Sequence, residues 1–257
     1  MIQKYKFGKP FNTEAVITEI DIEKENASLP IGNINHNSGF QWQYAMESET
    51  MIFGLGETTR GINKRGFTYT GFCTDDSTHS EDKQSLYGAH NFFMVFTPGK
   101  ESFGLFFDYP GKITFDMGYL DINTIQVTCE KADMMVYIIT PDSEPVLKDM
   151  VHQFREIIGQ SYIAPRWAFG FQQSRWGYKT EEDIRTVYSE YKKEGIPLDA
   201  IYLDIDYMID YKDFTVNPSR FPSLKKLSDD LKKEGVRLVP IIDAGVKIEE
   251  GYDVYEE

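Results

Sequence analysis

Residues 199–206 read DAIYLDID, an apolar, strand-like run that ends in carboxylates, and the segments flanking it decide the architecture. Upstream lie AFGFQQ (168–173) and EEDIRTVYSEYKKEG (181–195); downstream lie SLKKLSDDLKKEG (223–235) and RLVPIIDAG (237–245). Strand, helix, strand, helix, strand, with a glycine closing each helix, is the pattern of parallel βα units. On an extended chain, side chains two apart share a side, so Asp204 and Asp206 are expected close together on one face of the second strand.

Further upstream the rhythm differs. PDSEPVLKDMVHQFREIIG (141–159) places Val146, Leu147, Met150, Val151, Phe154, Ile157 and Ile158 at helical spacing. Before it, short β-branched and aromatic runs alternate with Gly, Pro, Asn and Asp: EAVITEIDI (14–22), GFQWQYAM (39–46), NFFMVFTP (91–98), SFGLFFDYP (102–110), KITFDMG (112–118), TIQVTCE (124–130) and MMVYIIT (134–140). That spacing predicts an antiparallel β-sandwich. The organisation expected is therefore a sandwich over 1–140, a connecting helix over 141–160, and over 161–257 either the first three βα units of a (β/α)8 barrel or an open flavodoxin-like sheet, incomplete in either case. A complete barrel needs about 250 residues, so if this is a barrel most of it is expected to lie outside the chain, in the same polypeptide.

The 257 residues are 41% hydrophobic and 14% aromatic, enough for a substantial core and two folding units. Lys and Arg number 27 against 41 Asp and Glu, a formal charge of -14, which repels a phosphate backbone. The basic pairs Lys192-Lys193 and Lys232-Lys233 each precede Glu-Gly at a helix end, where cations complement the helix dipole, so no nucleic-acid partner is expected. The N-terminus lacks the apolar core of a secretory signal, and no segment approaches the roughly 18 apolar residues of a membrane span. With only Cys73 and Cys129, neither a disulfide framework nor a zinc site is indicated. A cytoplasmic protein without cofactor or metal is expected, and homo-oligomers stay open.

GFQQSRWGYKTEEDI (170–184), GIPLDAIYLDIDYMIDYKDFTVNPSRFP (195–222) and GVRLVPIIDAGV (235–246) together resemble the opening of the catalytic barrel of glycoside hydrolase family 31, the α-glucosidase family. GLGE (54–57), GFCTDD (71–76) and LYGAHNFF (86–93) resemble the family's N-terminal domain. The resemblance implies a retaining, exo-acting α-glucosidase that releases terminal α-linked glucose from an oligosaccharide or glucoside. Its nucleophile and general acid are aspartates on later barrel strands, in motifs absent here, so no catalytic residue is assigned and the 257 residues alone are expected to be inactive.

The resemblance further implies that Asp204 accepts hydrogen bonds from hydroxyls of the sugar before the cleaved bond, with Ile205 lining the same pocket. Trp176 stands where the family commonly has Tyr, in position to pack on a sugar ring; the change bears on linkage preference, with α-1,6-linked substrates expected to compete well with α-1,4-linked ones. Asp75, with Asp76 one residue away, aligns with an acid on a sandwich loop that reaches over the barrel mouth. Asp243 lies at the mouth end of the third strand as pocket support. Asp206 either supports the pocket or pairs with a cation such as Arg175. The readings that compete are a non-catalytic carbohydrate-binding piece, a relative acting on α-xylosides, and a sugar-nucleotide transferase using D-x-D; the last lacks a Gly-rich phosphate loop or basic cluster.

Overall fold

The computed structural model describes residues 1–26, 28–35 and 39–257. They form two compact units, Met1–Ser161 and Tyr162–Glu257.

The described residues of the first unit form eleven strands: β1 (Ile2–Phe7), β2 (Ile22–Glu25), β3 (Asn33–Asn35), β4 (Phe40–Ala45), β5 (Met51–Gly54), β6 (Thr68–Gly71), β7 (Phe92–Phe96), β8 (Phe103–Asp108), β9 (Ile113–Met117), β10 (Thr124–Cys129) and β11 (Met134–Ile139). Two sheets result, ordered β2-β1-β11-β8-β7-β5 and β3-β4-β10-β9-β6. Pairing is antiparallel except at β1 and β2, which run parallel at one edge. Alternation along β10 buries Ile125, Val127 and Cys129 and turns Thr124, Gln126 and Thr128 outward. Trp42, Phe93, Leu105, Phe107, Phe115 and Val136 meet between the sheets. Each such side chain contributes roughly 1.5–3 kcal/mol on burial, so this cluster is the main stabilising feature of the unit.

β8 is buried on both faces, because the outer face of its sheet is also covered. The helix α1 (Val146–Ile158) sets Met150, Phe154 and Ile157 against Phe92, Phe106 and Ile139, and the Phe92 and Phe154 rings stack at 3.9 Å. This helix starts five residues later than the run from Pro141 suggests. Asp142 N and Ser143 Oγ both donate to the Asp149 carboxylate, which closes a turn ahead of the helix. The run EAVITEIDI also departs from expectation: only Ile22 of it is in a strand. Ile17 N donates to Ile157 O and Thr18 Oγ1 to Glu156 O, so a backbone N–H and a side-chain hydroxyl of this run bond the end of α1 instead of a sheet.

The second unit begins with a 3-10 turn over Arg166–Phe169 and continues as β12 (Gln172–Gln173), α2 (Glu181–Lys193), β13 (Ala200–Leu203), α3 (Leu224–Lys233), β14 (Arg237–Pro240) and α4 (Asp253–Glu256). β12, β13 and β14 are parallel, in that order, and among the described residues no barrel closes. α2 starts at a capping box: Thr180 Oγ1 accepts from Asp183 N while Asp183 Oδ2 accepts from Thr180 N. Ile184, Leu227 and Leu231 pack on Ile201 and Leu203, the face the helices cover. The fold is thus a two-sheet, mostly antiparallel β-sandwich followed by the first βα units of a TIM barrel, as the sequence suggests. Among the described residues no helix is long and apolar enough to cross a membrane.

Candidate functional site

Because the three strands run parallel, the residues that follow them emerge at one end of the sheet: Ser174–Gly177 after β12, Asp204–Tyr207 after β13 and Ile241–Asp243 after β14. The carboxyl ends of parallel strands are where this architecture places ligands. Trp176, Asp204, Ile205 and Asp243 all follow strand ends on this rim.

Asp204 is not part of an extended run. β13 ends at Leu203, and Asp204 caps a 3-10 turn over Ile205–Tyr207, its Oδ1 accepting from Ile205 N at 2.7 Å. Its carboxylate is half-buried, and Oδ2 has no hydrogen bond among the described residues. Asp204 therefore presents one oxygen already held by the backbone and one available to an incoming donor. Ile205 is half-buried beside it.

The turn corrects the expectation that Asp204 and Asp206 lie side by side. It rotates Asp206 inward until only 4% of the residue is exposed. Its cation is Arg220, not Arg175. Arg220 Nη1 donates to Asp206 O at 3.0 Å and lies 3.7 Å from Oδ1, while Oδ2 is buried without a partner. Arg220 sits next to Phe221, which anchors in the core of the unit, so the packing of Phe221 and not proximity in sequence brings the cation here. Arg175 is exposed and makes no ion pair among the described residues.

Sequence reasoning missed the groups that join the β13 loop to the β14 loop. Tyr207 donates its hydroxyl to Ile241 O at 2.8 Å, and Ile241 N donates to Leu203 O. Asp213, 3% exposed, accepts from Gly245 N at 3.2 Å through Oδ2, and its carbonyl oxygen accepts from the Tyr252 hydroxyl at 2.6 Å. Burial, then the charge of Asp213, raises the pKa of both tyrosines, which keeps their hydroxyls protonated as donors. Lys212 pairs with Glu249 at 2.8 Å, and hydrogen bonds from Lys212 and Lys247 hold the Glu249 carboxyl down at about 2. No local pattern marks Asp213, since its partners lie over 30 positions further along the chain.

Trp176 lies in the turn between β12 and α2 and is 71% exposed. At the end of β12, Gln173 is clamped, donating to the Tyr178 hydroxyl and accepting from that of Tyr191. Asp243 lies three residues past the end of β14, exposed, with a left-handed φ of 55°; it does not end the strand as its sequence suggests. In the sandwich unit, the loop after β6 folds back on itself through Thr70 N to Gln84 O and Thr74 N to Leu86 O. On it the two neighbouring acids differ. Asp76 is tied to Lys83 and accepts from Thr78 N, and its pKa is lowered, chiefly by the Lys83 bond. Asp75 is exposed near Tyr87, whose hydroxyl pKa is raised by burial and then by the Asp75 charge. Among the described residues no cluster of three or more His, Cys, Asp or Glu is placed to hold a metal.

Comparison with known proteins converges on one family. Residues 161–257 match the glycosyl hydrolases family 31 TIM-barrel domain, and residues 8–116 the glycosyl hydrolase 31 N-terminal galactose mutarotase-like domain. Alpha-glucosidase 2 of Bacillus thermoamyloliquefaciens is 38% identical over 213 residues, 82% of this chain and 26% of that protein. An alpha-glucosidase of Saccharolobus solfataricus is 27% identical over 256 residues, 99% of this chain and 36% of the relative. Among solved structures, the dextranase of Flavobacterium johnsoniae complexed with isomaltotriose superposes with a TM-score of 0.70 at 26% identity, over 80% of this chain and 24% of that one. The chain thus spans about a quarter to a third of the length of these relatives.

Proposed function

Since this chain belongs to glycosyl hydrolase family 31, we propose that it supplies the sugar-holding part of a retaining α-glucosidase that removes terminal α-linked glucose from short oligosaccharides. The observation that carries the reading is Asp204: a half-buried carboxylate at the end of β13, one oxygen fixed by Ile205 N and the other available. An ionised carboxylate only accepts, and its bonds to hydroxyls are short and strong, so the group suits a sugar's hydroxyl edge. Ile205 supplies the apolar wall beside it.

Retention requires two carboxyl groups about 5–5.5 Å apart, one attacking the anomeric carbon and one protonating the departing oxygen. Asp206 does not serve, because it faces inward against Arg220 and is closed to substrate. Nucleophile and acid belong to other strands of the barrel, and the 257 residues by themselves bind sugar without cleaving it. Trp176 offers an exposed indole face at the rim, and the isomaltotriose held by the related dextranase supports acceptance of α-1,6 linkages. Asp75, with its carboxylate exposed, is the better placed of the two loop acids to meet substrate.

The test is hydrolysis of maltose, isomaltose and an aryl α-xyloside by the polypeptide carrying the whole barrel, with the first-formed anomer read by proton NMR. α-Glucose appearing first from the two glucosides is expected. β-Glucose first would overturn retention, and exclusive turnover of the xyloside would overturn the glucosidase reading.

A further inference from the structure

The first unit contains a groove that the rim does not use. It measures about 760 Å³, within the range of small-ligand sites, and lies where the segment at Lys9–Phe11, the turn from β8 to β9 and the turn from β10 to β11 come together. We propose that it is a second, non-catalytic binding site for a short neutral oligosaccharide, with Tyr109 and Phe11 as the surfaces on which sugar rings pack.

Tyr109 is held in place from several sides. Its carbonyl oxygen accepts from Asn91 Nδ2 at 3.3 Å, and its ring packs against the sandwich core. The ring lies across Gly111. A Cβ there would fall 2.8 Å from Tyr109 Cε1 and 2.9 Å from Cζ, although the backbone of Gly111 is not left-handed. Glycine is thus required at 111 by the position of the ring and not by the turn. Phe11, across the groove, is 70% exposed. An aromatic face fixed before binding costs no side-chain ordering when a ligand arrives.

The rim of the groove supplies both donors and acceptors. Lys9, Lys112 and Lys131 make no ion pair among the described residues, and Glu130 stands beside them. A sugar hydroxyl both donates and accepts, so it is matched by this mixed fringe, whereas an anionic ligand would also meet Glu130 and Asp133. The groove lies wholly within the first unit and does not depend on the reading of the barrel rim.

The experiment is calorimetric titration of the 257-residue chain carrying Asp204→Ala, which removes the rim's sugar-binding carboxylate, with isomaltotriose, maltotriose and, as an anionic control, glucuronic acid. Saturable binding of a neutral trisaccharide is expected, weakened roughly fivefold by adding Phe11→Ala and by adding Gly111→Ala. Phe11 lies outside the buried core and Gly111→Ala displaces the partly buried Tyr109 ring, so a thermal unfolding curve checks that each variant is folded. No neutral-sugar binding, binding indifferent to both changes, or preference for glucuronic acid would each overturn the proposal. A failed glucosidase assay would not alter the result, because no turnover is read.

Discussion

Arg220 grips Asp206 from across the loop, donating to its carbonyl oxygen at 3.0 Å with the guanidinium 3.7 Å from Oδ1. The turn so held is the one that carries Asp204 at its start. A buried acid is therefore a brace for the half-buried one two residues earlier. Removing the cation leaves a carboxylate that is already short of one partner. Arg220→Ala is expected to lower stability by about 1–3 kcal/mol in urea unfolding, with Arg220→Lys recovering part of it. An unchanged midpoint for Arg220→Ala would show that the pair carries no load.

Asp149 ties α1 to the turn before it. Hydrogen bonds from Ser143, Asp142 N and Gln153 hold its carboxyl down at about 2. An unfolded aspartate titrates near about 3.9, so the folded state binds its proton less readily than the unfolded one. The stabilisation is therefore complete above about pH 4 and fades as the pH falls toward about 2. Carbon-detected NMR titration of Asp149 is expected to give a midpoint near 2, and Asp149→Asn to flatten this part of the stability profile. A midpoint near 4 would contradict the bonding.

The two thiols should part company. Burial pushes Cys129 up to about 12, leaving it a neutral thiol at ordinary pH, whereas Cys73 is exposed on the acidic loop. A maleimide at pH 7 is expected to label Cys73 quickly and Cys129 only after urea is added. Equal labelling in the folded protein would mean that the sheet end around Cys129 opens.

Much of the architecture was readable because local chemistry and tertiary structure agree. Thr180 and Asp183 mark the start of α2, Gly195 and Gly235 close α2 and α3, and β10 alternates strictly between inside and outside. What escaped reading was set by contacts distant in sequence. EAVITEIDI has strand composition, yet Ile157 and Glu156 take its hydrogen bonds. DID looks extended, yet Asp204 caps its own turn and sends Asp206 inward. Asp213 and Arg220 carry no motif of their own; their roles appear only when the β13 loop meets the β14 loop and the core.

Trp176 should set linkage preference, because it adds bulk and removes a hydroxyl relative to the tyrosine common in the family. In the polypeptide with the whole barrel, Trp176→Tyr is expected to shift the ratio of kcat/KM for isomaltose over maltose downward by roughly three- to tenfold, about the size of one altered aromatic contact. An unchanged ratio would remove Trp176 from the substrate path.

The most direct test concerns Asp204. Asp204→Asn keeps shape and an acceptor oxygen but removes the charge, so kcat/KM for maltose and isomaltose is expected to fall at least roughly 100-fold while the melting temperature stays within a degree or two. Kinetics within twofold of the native enzyme would show that no sugar hydroxyl rests on this carboxylate.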